Sequence, residues 1–185
     1  MPNGGYPAGG VFVAVDVQYL ASGGARAAAV VTADATFSRL VAERTELVPD
    51  VAPYRPGLFY LRELPMRAVL EGLSEMALLV VDGYADLDPD GKPGLGAHAC
   101  AEFAVPVIGV AKSAFRSATQ AVPVLRGTSR RPLYVTATGM PRTEAADIVR
   151  HMAGAHRIPD ALRRADSLAR HGLSPEPRVS QSPSS

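Results

Sequence analysis

The stretch VFVAVDVQY, residues 11–19, decides the fold class. It is short and rich in valine, a composition typical of a β-strand. Valines stand on both sides of Asp16, and the next turn residue is Ser22, so we expect this strand to lie inside a sheet. A carboxylate in such a strand is costly to bury without a partner. Asp16 is therefore the first candidate functional residue.

The segments around this strand predict an α/β fold. A glycine pair and an alanine- and valine-rich run follow it and indicate a hairpin partner, and residues 36–48 indicate a third strand. Strands and helices then alternate. The predicted strands are ALLVVDG, VPVIGVAKS and RPLYVTATG, and the predicted helices are LFYLRELPMRAVLEGL, LGAHACAEFAV, PRTEAADIVRHMAGAHR and IPDALRRADSLARHG. This order predicts a mixed sheet flanked by helices. We expect Pro65 near the first turn of its helix, because proline has no N–H to donate.

Length and composition bound the class of protein. With 185 residues, the chain is long enough for one domain with its own core, and its net charge of +1 gives no global sign of nucleic-acid binding. We expect a flexible lead-in over residues 1–10, one folded domain over 11–172 and a disordered tail over 173–185. Cys100 alone cannot form an intramolecular disulfide, and we expect it to be buried in a cytoplasmic monomer. No apolar run reaches the ~20 residues of a membrane span.

A second aspartate ends a second apolar strand. Asp82 closes ALLVVDG, and open sheets place their sites at the ends of strands. An alternative is open at this point, since Asp-Gly is also a strong turn former. For Asp16 that alternative is weaker, because no turn residue adjoins it.

A third carboxylate, Glu63, follows the loop PYRPG in the first turns of a predicted helix. A helix N-terminus favours a carboxylate by only about 0.3–1 kcal/mol. Three carboxylates in one pocket would repel by about 4 kcal/mol per pair at ~4 Å and an effective dielectric constant near 20. A divalent cation cancels this repulsion, and oxygen ligands suit Mg²⁺, with Mn²⁺ as a second choice. We therefore interpret Glu63 as a metal ligand.

Basic residues add candidates with a less specific signal. Lys112 ends the strand VPVIGVAKS, where it is either a surface lysine or a cation beside a scissile phosphate. Arginines are frequent in the last third of the chain, where most are expected on solvated helix faces. His98 is more typical of a helix face than of a ligand.

Ordered blocks of the sequence resemble the endonuclease V family, the deoxyinosine 3′-endonucleases. The resemblance covers most of the chain from Val11 to about Arg170, and the set of blocks is specific. The matching blocks are VAVDVQY, PYRPGLFYLRELP, VVDGYAD, IGVAKS, RPLYVTATG and RIPDALRRADSLAR. Two positions differ from the family pattern: Asp88-Pro89 stands where a His-Pro-Arg segment is usual, and Met140 replaces a histidine.

The resemblance implies a ribonuclease-H-like fold and a metal-dependent endonuclease of DNA repair. It would hydrolyse a phosphodiester 3′ to a deaminated purine, inosine, in DNA and possibly RNA. By position, the implied metal ligands are Asp16, Glu63 and Asp82, with Asp166 in support, and Lys112 joins Asp16, Glu63 and Asp82 as a catalytic residue. The implied wedge that opens the duplex is Pro53, Tyr54, Arg55 and Pro56. The implied base pocket uses main-chain groups near Gly57, Phe59, Gly83, Gly94 and Leu95.

The wedge has a physical basis. A damaged base must leave the stack before a pocket can bind it, and Tyr54 between two prolines could stack in the gap for ~1–3 kcal/mol. Without the resemblance, a rigid loop whose tyrosine caps the core is the simpler interpretation.

Three alternatives remain open at the level of sequence. The first is a lesion-binding protein with weak or no catalysis, the second an inosine-specific endoribonuclease, and the third another ribonuclease-H-like nuclease. Retention of all three acids argues against the first, and the Pro-Tyr-x-Pro wedge argues against the third.

Overall fold

The computed structural model describes residues 9–49, 60–73 and 75–173, without the side chains of residues 60–64. The predicted wedge residues Pro53–Pro56, together with Gly57 and Phe59, lie outside the described residues. So do residues 1–8 of the predicted lead-in and residues 174–185 of the predicted tail, which leaves the predicted domain bounds untested.

Seven strands form one mixed sheet in the order β3-β2-β1-β4-β5-β7-β6. Strands β1, β4 and β5 are parallel to one another, and the other neighbouring pairs are antiparallel. The mixed sheet is as predicted, and β1 lies inside it. The strands are β1 Val11–Tyr19, β2 Ala25–Thr32, β3 Leu40–Val48, β4 Met76–Asp82, β5 Val107–Ala111, β6 Val122–Val124 and β7 Leu133–Thr138.

Within the described ranges, four helices flank the sheet at the four predicted places. They are α1 Tyr60–Leu70, α2 Leu95–Phe103, α3 Arg142–His151 and α4 Asp160–His171. The expected position of Pro65 is wrong by about one turn, because α1 begins at Tyr60 and contains this proline in its interior. Only the first four N–H groups of a helix lack a partner within it, so α1 gives up one main-chain hydrogen bond there.

The two faces of the sheet have separate apolar cores. Helices α3 and α4 cover one face, whose central side chains include Ala14, Val80 and Val110. Helices α1 and α2 cover the other face, which includes Val15 and Val81. Because side chains alternate along a strand, Asp16, Asp82 and Lys112 continue the first of these series and belong to the α3/α4 face.

Helix α4 is fixed across β1, β2 and β3 by its buried side and by two polar contacts. Arg164 binds Glu43 of β3 with both ends of its guanidinium, at 2.6 and 2.7 Å. Arg26 of β2 donates from Nη1 to the carbonyl of Arg170 at 2.9 Å. These contacts set the position of Asp166, which lies between them on the helix.

Two further expectations, the burial of Cys100 and the lack of a membrane span, can be compared with the structure. Cys100 is half-buried and packs beside the α1/α2 core, so the expectation of full burial is wrong. In the part of the chain that the structure describes, no helix has the length and apolar character needed to cross a membrane.

Candidate active site

Asp16 and Asp82 lie side by side where the parallel pairing of two strands stops. The last paired residues of β1 and β4 are Val15 and Val81, and the two aspartates are the next residue of each strand. Asp16 still pairs with Ala28 of β2, so its main chain is held in the sheet while its side chain lies beyond the β4 contact. Both aspartates line one small open pocket at the ends of the strands, with Met66 of α1 and Leu95 of α2.

The environment of Asp16 opposes its ionisation. Burial first, and then the charge of Asp82, raise the pKa of the Asp16 carboxyl to about 6. The N–H of Val17 donates to Asp16 Oδ1 at 2.8 Å, which together with the more distant Lys112 offsets part of this effect. A cation bound between the two carboxylates would remove the unfavourable interaction.

Lys112 follows β5 and reaches back to Asp82. Its Nζ lies 2.5 Å from Asp82 Oδ2, and both side chains remain partly accessible to solvent. Burial lowers the pKa of this ammonium, but the hydrogen bond and charge of Asp82, with the charges of Asp16 and Asp166, more than offset it and leave the pKa raised. Lys112 therefore stays positively charged beside Asp82.

Asp166 reaches the same place from α4. A hydrogen bond from Arg170 is the largest cause that holds the pKa of Asp166 below its usual value, and a hydrogen bond with Asp16 acts in the same direction. The Arg170 guanidinium binds both carboxylate oxygens, at 3.0 and 3.1 Å. A proton shared between the two carboxyls consequently resides on Asp16.

The segment that follows Asp82 is packed tightly onto β5 and β7. A Cβ at Gly109 would lie 2.3 Å from the Ala85 nitrogen and 2.7 Å from the Gly83 carbonyl, so only glycine fits there. Ala85 donates its N–H to the Thr136 hydroxyl at 2.8 Å. Gly94, predicted for the base pocket, is equally confined, because its Cβ would lie 2.6 Å from the Ala85 carbonyl.

Gly83, by contrast, faces open space: a Cβ there would meet nothing within 4 Å. Leu95 lines the acidic pocket.

The Asp88–Pro89 segment forms a closed turn in which Asp88 Oδ1 accepts a hydrogen bond from the Lys92 N–H at 2.9 Å. The Asp88 carboxylate therefore stabilises this turn.

Glu63 lies in α1, three residues before Met66, and its side chain is outside the described residues. Among the side chains that the structure describes, no three of His, Cys, Asp or Glu are grouped so that they could hold a metal ion. Of the four predicted metal ligands, the described side chains bring Asp16 and Asp82 together. Both carboxylate oxygens of the fourth, Asp166, already accept hydrogen bonds from Arg170.

Two residues at this edge of the sheet were missed by the sequence analysis. Arg170 follows Asp166 by four residues, a helical ion-pair spacing that could have identified it. Arg157 donates to the carbonyls of Lys112, Arg131 and Pro132, a set of contacts for which the sequence carries no signal.

Comparison with known proteins gives the family. The sequence model described as Endonuclease V matches residues 7–134. Endonuclease V of Streptomyces avermitilis is 32% identical over 191 residues, a match that covers 90% of this chain and 82% of the relative. The chain belongs to the endonuclease V family. Members of this family are nucleases that hydrolyse phosphodiester bonds, so the predicted class of enzyme is confirmed.

Solved structures of the endonuclease V family share the fold. The crystal structure of the Streptomyces avermitilis enzyme superposes with a TM-score of 0.70 at 33% identity, over 89% of this chain and 82% of that one. A Ciona intestinalis endonuclease V, solved with a 23mer DNA containing an inosine followed by a ribo-adenosine, gives a TM-score of 0.69 at 20% identity. It covers 86% of this chain and 83% of its own. The predicted ribonuclease-H-like fold is therefore confirmed.

Proposed function

We propose that this chain is a metal-dependent endonuclease that hydrolyses a phosphodiester 3′ to inosine in DNA. The observation that carries the proposal is the convergence of Asp16 and Asp82 beyond the last paired residues of β1 and β4. Membership of the endonuclease V family and the inosine-containing DNA bound by the Ciona relative support the choice of substrate.

The chemistry of the acidic residues fits a hard divalent cation. Asp16 and Asp82 offer oxygen atoms only, and the charge of Asp82, which helps to raise the pKa of Asp16, supports a cation beside them. Glu63 lies one helical turn before Met66, which lines the same pocket, and residues three apart share a helix face. We assign Asp16, Glu63 and Asp82 as ligands of Mg²⁺, with Mn²⁺ as a substitute and Asp166 in support.

Such a cation supplies a nucleophilic water and stabilises charge on the phosphate. The chain's own residues then have separate tasks. The Lys112 ammonium, held against Asp82, would stabilise negative charge on a phosphate oxygen at the pocket. Arg170 would keep Asp166 ionised and oriented toward Asp16. Lys112 is therefore proposed as a catalytic residue and Arg170 as a positioning residue.

The remaining assignments concern the lesion. The wedge assigned to Pro53, Tyr54, Arg55 and Pro56 would open the duplex. The base pocket assigned to Gly57, Phe59, Gly83, Gly94 and Leu95 would bind the extruded base through main-chain groups. Gly83 borders open space, which leaves room for a ligand beside its main chain. We also propose that the protein acts as a monomer in the cytoplasm.

A nicking assay tests the function. End-labelled duplexes that carry inosine or adenosine at one position are incubated with the protein in Mg²⁺ or in EDTA. We expect cleavage only of the inosine strand, only with Mg²⁺, and 3′ to the lesion. A second pair of duplexes with a ribonucleotide after the inosine, as in the ligand of the Ciona relative, measures the preference for the sugar.

Matched carboxylate variants separate catalysis from binding. Asp16→Asn and Asp82→Asn should each lower the cleavage rate at least about a hundredfold, because several kcal/mol of charge stabilisation are lost. Asp147→Asn, which alters an exposed helix carboxylate paired with Arg150, should leave the rate unchanged. Binding of inosine duplexes without any cleavage in Mg²⁺ would instead identify a lesion-binding protein.

A further inference from the structure

The turn that leads into β7 carries two adjacent arginines, Arg130 and Arg131. Both are exposed, and within the described residues no carboxylate forms an ion pair with either. An unpaired, solvent-facing pair of guanidinium groups is available for a ligand with negative charge.

The register of the sheet places this turn at the catalytic edge. Strand β7 runs antiparallel to β5, and Tyr134 pairs with Ala111, the residue before Lys112. The start of β7 therefore lies beside Lys112. The other end of β7, at Thr138, pairs with Val107 at the opposite edge of the sheet.

Arg157 gives an independent measure of the same proximity. Its Nη2 donates to the carbonyl of Pro132 at 2.7 Å and also to the carbonyl of Lys112. Its Nε donates to the carbonyl of Arg131 at 2.9 Å. Since one nitrogen atom binds both main-chain segments, the Arg157 guanidinium joins the arginine-bearing turn to the main chain of the proposed catalytic lysine.

The turn is also fixed at its other end. Arg126 is buried, and its guanidinium donates to the carbonyls of Gly154 at 3.0 Å and His156 at 3.1 Å. Gly127 has a φ of +57°, and a Cβ there would lie 2.3 Å from the Ala155 carbonyl. Arg130 and Arg131 are thus presented from a turn whose main chain is held on both sides.

We propose that Arg130 and Arg131 bind backbone phosphates of the strand that is cut, next to the phosphodiester held at Lys112. The proposal rests on the proposed function, because it takes nucleic acid as the substrate. The net charge of only +1 means that attraction to a polyanion must come from a local cluster of this kind. Phosphate contacts set the register of the strand and carry no information about the base.

Salt-dependent binding of DNA tests this proposal. Binding of the full chain to a fluorescein-labelled duplex is measured by anisotropy in EDTA between 50 and 200 mM NaCl, with an inosine duplex and an unmodified one. The test variant is Arg130→Gln with Arg131→Gln. The matched control is Arg142→Gln, an exposed arginine that opens α3 at the opposite edge of the sheet.

We expect the double variant to lower the slope of log K against log salt by about 0.9 for each lost phosphate contact, close to 2 in total. Affinity at 0.1 M salt should fall on the order of tenfold for each arginine. The loss should be the same on both duplexes. Arg142→Gln should keep the wild-type slope, and replacing both arginines by lysine should restore most of it, which separates charge from structure.

Two results would overturn the proposal: an unchanged slope in the double variant, or an equal loss of slope in Arg142→Gln. Thermal melting checks that each variant is folded. Failure of the proposed function can be told apart from failure of this proposal. The nicking assay would then show no cleavage or no preference for inosine, while the salt dependence of binding to the unmodified duplex would still measure the phosphate contacts of Arg130 and Arg131.

Discussion

At the scale of single residues, burial and a neighbouring carboxylate both oppose the ionisation of Asp16. The pKa of this group is about 6 in the folded chain against 3.8 in the reference state. The folded state therefore favours the protonated form. The stabilisation from this preference is complete below pH 3.8 and is lost as pH rises through 6. At neutral pH without a cation, the ionised carboxylate destabilises the fold.

Asp16→Asn should consequently stabilise the metal-free protein at neutral pH while abolishing cleavage. The free energy of unfolding of the variant, relative to wild type, should rise by up to about 3 kcal/mol between pH 4 and pH 7, since each unit of pKa shift corresponds to 1.36 kcal/mol. Urea denaturation in EDTA at several pH values measures it. A difference that stays constant with pH would contradict the assignment, and Asp147→Asn provides the control.

Much of the residue scale could be predicted from sequence. The sequence predicts Asp16 as a carboxylate within a valine-rich strand, and Asp82 and Lys112 at the ends of two others. The structure brings the three together. The role of Arg170 does not follow from the sequence alone, because an i,i+4 pair of Asp and Arg is common on exposed helix faces and does not indicate a site. The role of Glu63 remains a prediction.

At the scale of elements, a buried hydroxyl of β7 helps to hold the segment that follows β4. Thr136 of β7 is fully buried and accepts the Ala85 N–H at 2.8 Å. This bond and the glycine at 109 hold the chain that leaves Asp82. The position of Asp82 and of the predicted base pocket therefore depends on a strand that contributes no acidic residue to the site.

Thr136→Val should lower the free energy of unfolding by about 1–3 kcal/mol, because it leaves a buried donor without a partner at nearly constant shape. Cleavage should also slow, since the chain after Asp82 is released. Urea denaturation and the nicking rate measure the two effects. Thr136→Ser keeps the hydroxyl and serves as the matched variant; equal losses in Ser and Val would show that the methyl group, not the hydrogen bond, matters.

Element types followed from sequence more fully than element contacts. Valine-rich runs and helical spacing predicted the four helices and six of the seven strands of the described residues, including β3. The exception is β6, whose three residues are too few to give a pattern. The depth of Pro65 in α1 did not follow, because helical spacing predicts a helix without fixing its first residue. The guanidinium of Arg157, which joins β5 to β7, depends on the register of two strands more than twenty residues apart, and no local pattern encodes it.

At the scale of the whole molecule, the proposed functional side chains of the described residues lie at one edge of the sheet. The parallel strands β1 and β4 bring Asp16 and Asp82 to it, β5 brings Lys112, α4 brings Asp166, and antiparallel β7 brings the turn with Arg131. Alternating strands and helices in the sequence predicted a mixed sheet. The order of the strands and the side of α4 that faces Asp16 came only from the fold.

The central claim is that carboxylates from distant parts of the chain share one divalent cation. Binding of Mn²⁺ to the folded protein at pH 8, followed by electron paramagnetic resonance, tests it most directly. We predict saturable binding by wild type and by Asp147→Asn, with loss of binding in Asp16→Asn, Asp82→Asn and Glu63→Gln. Undiminished Mn²⁺ binding by the Asp16 and Asp82 variants would contradict the claim.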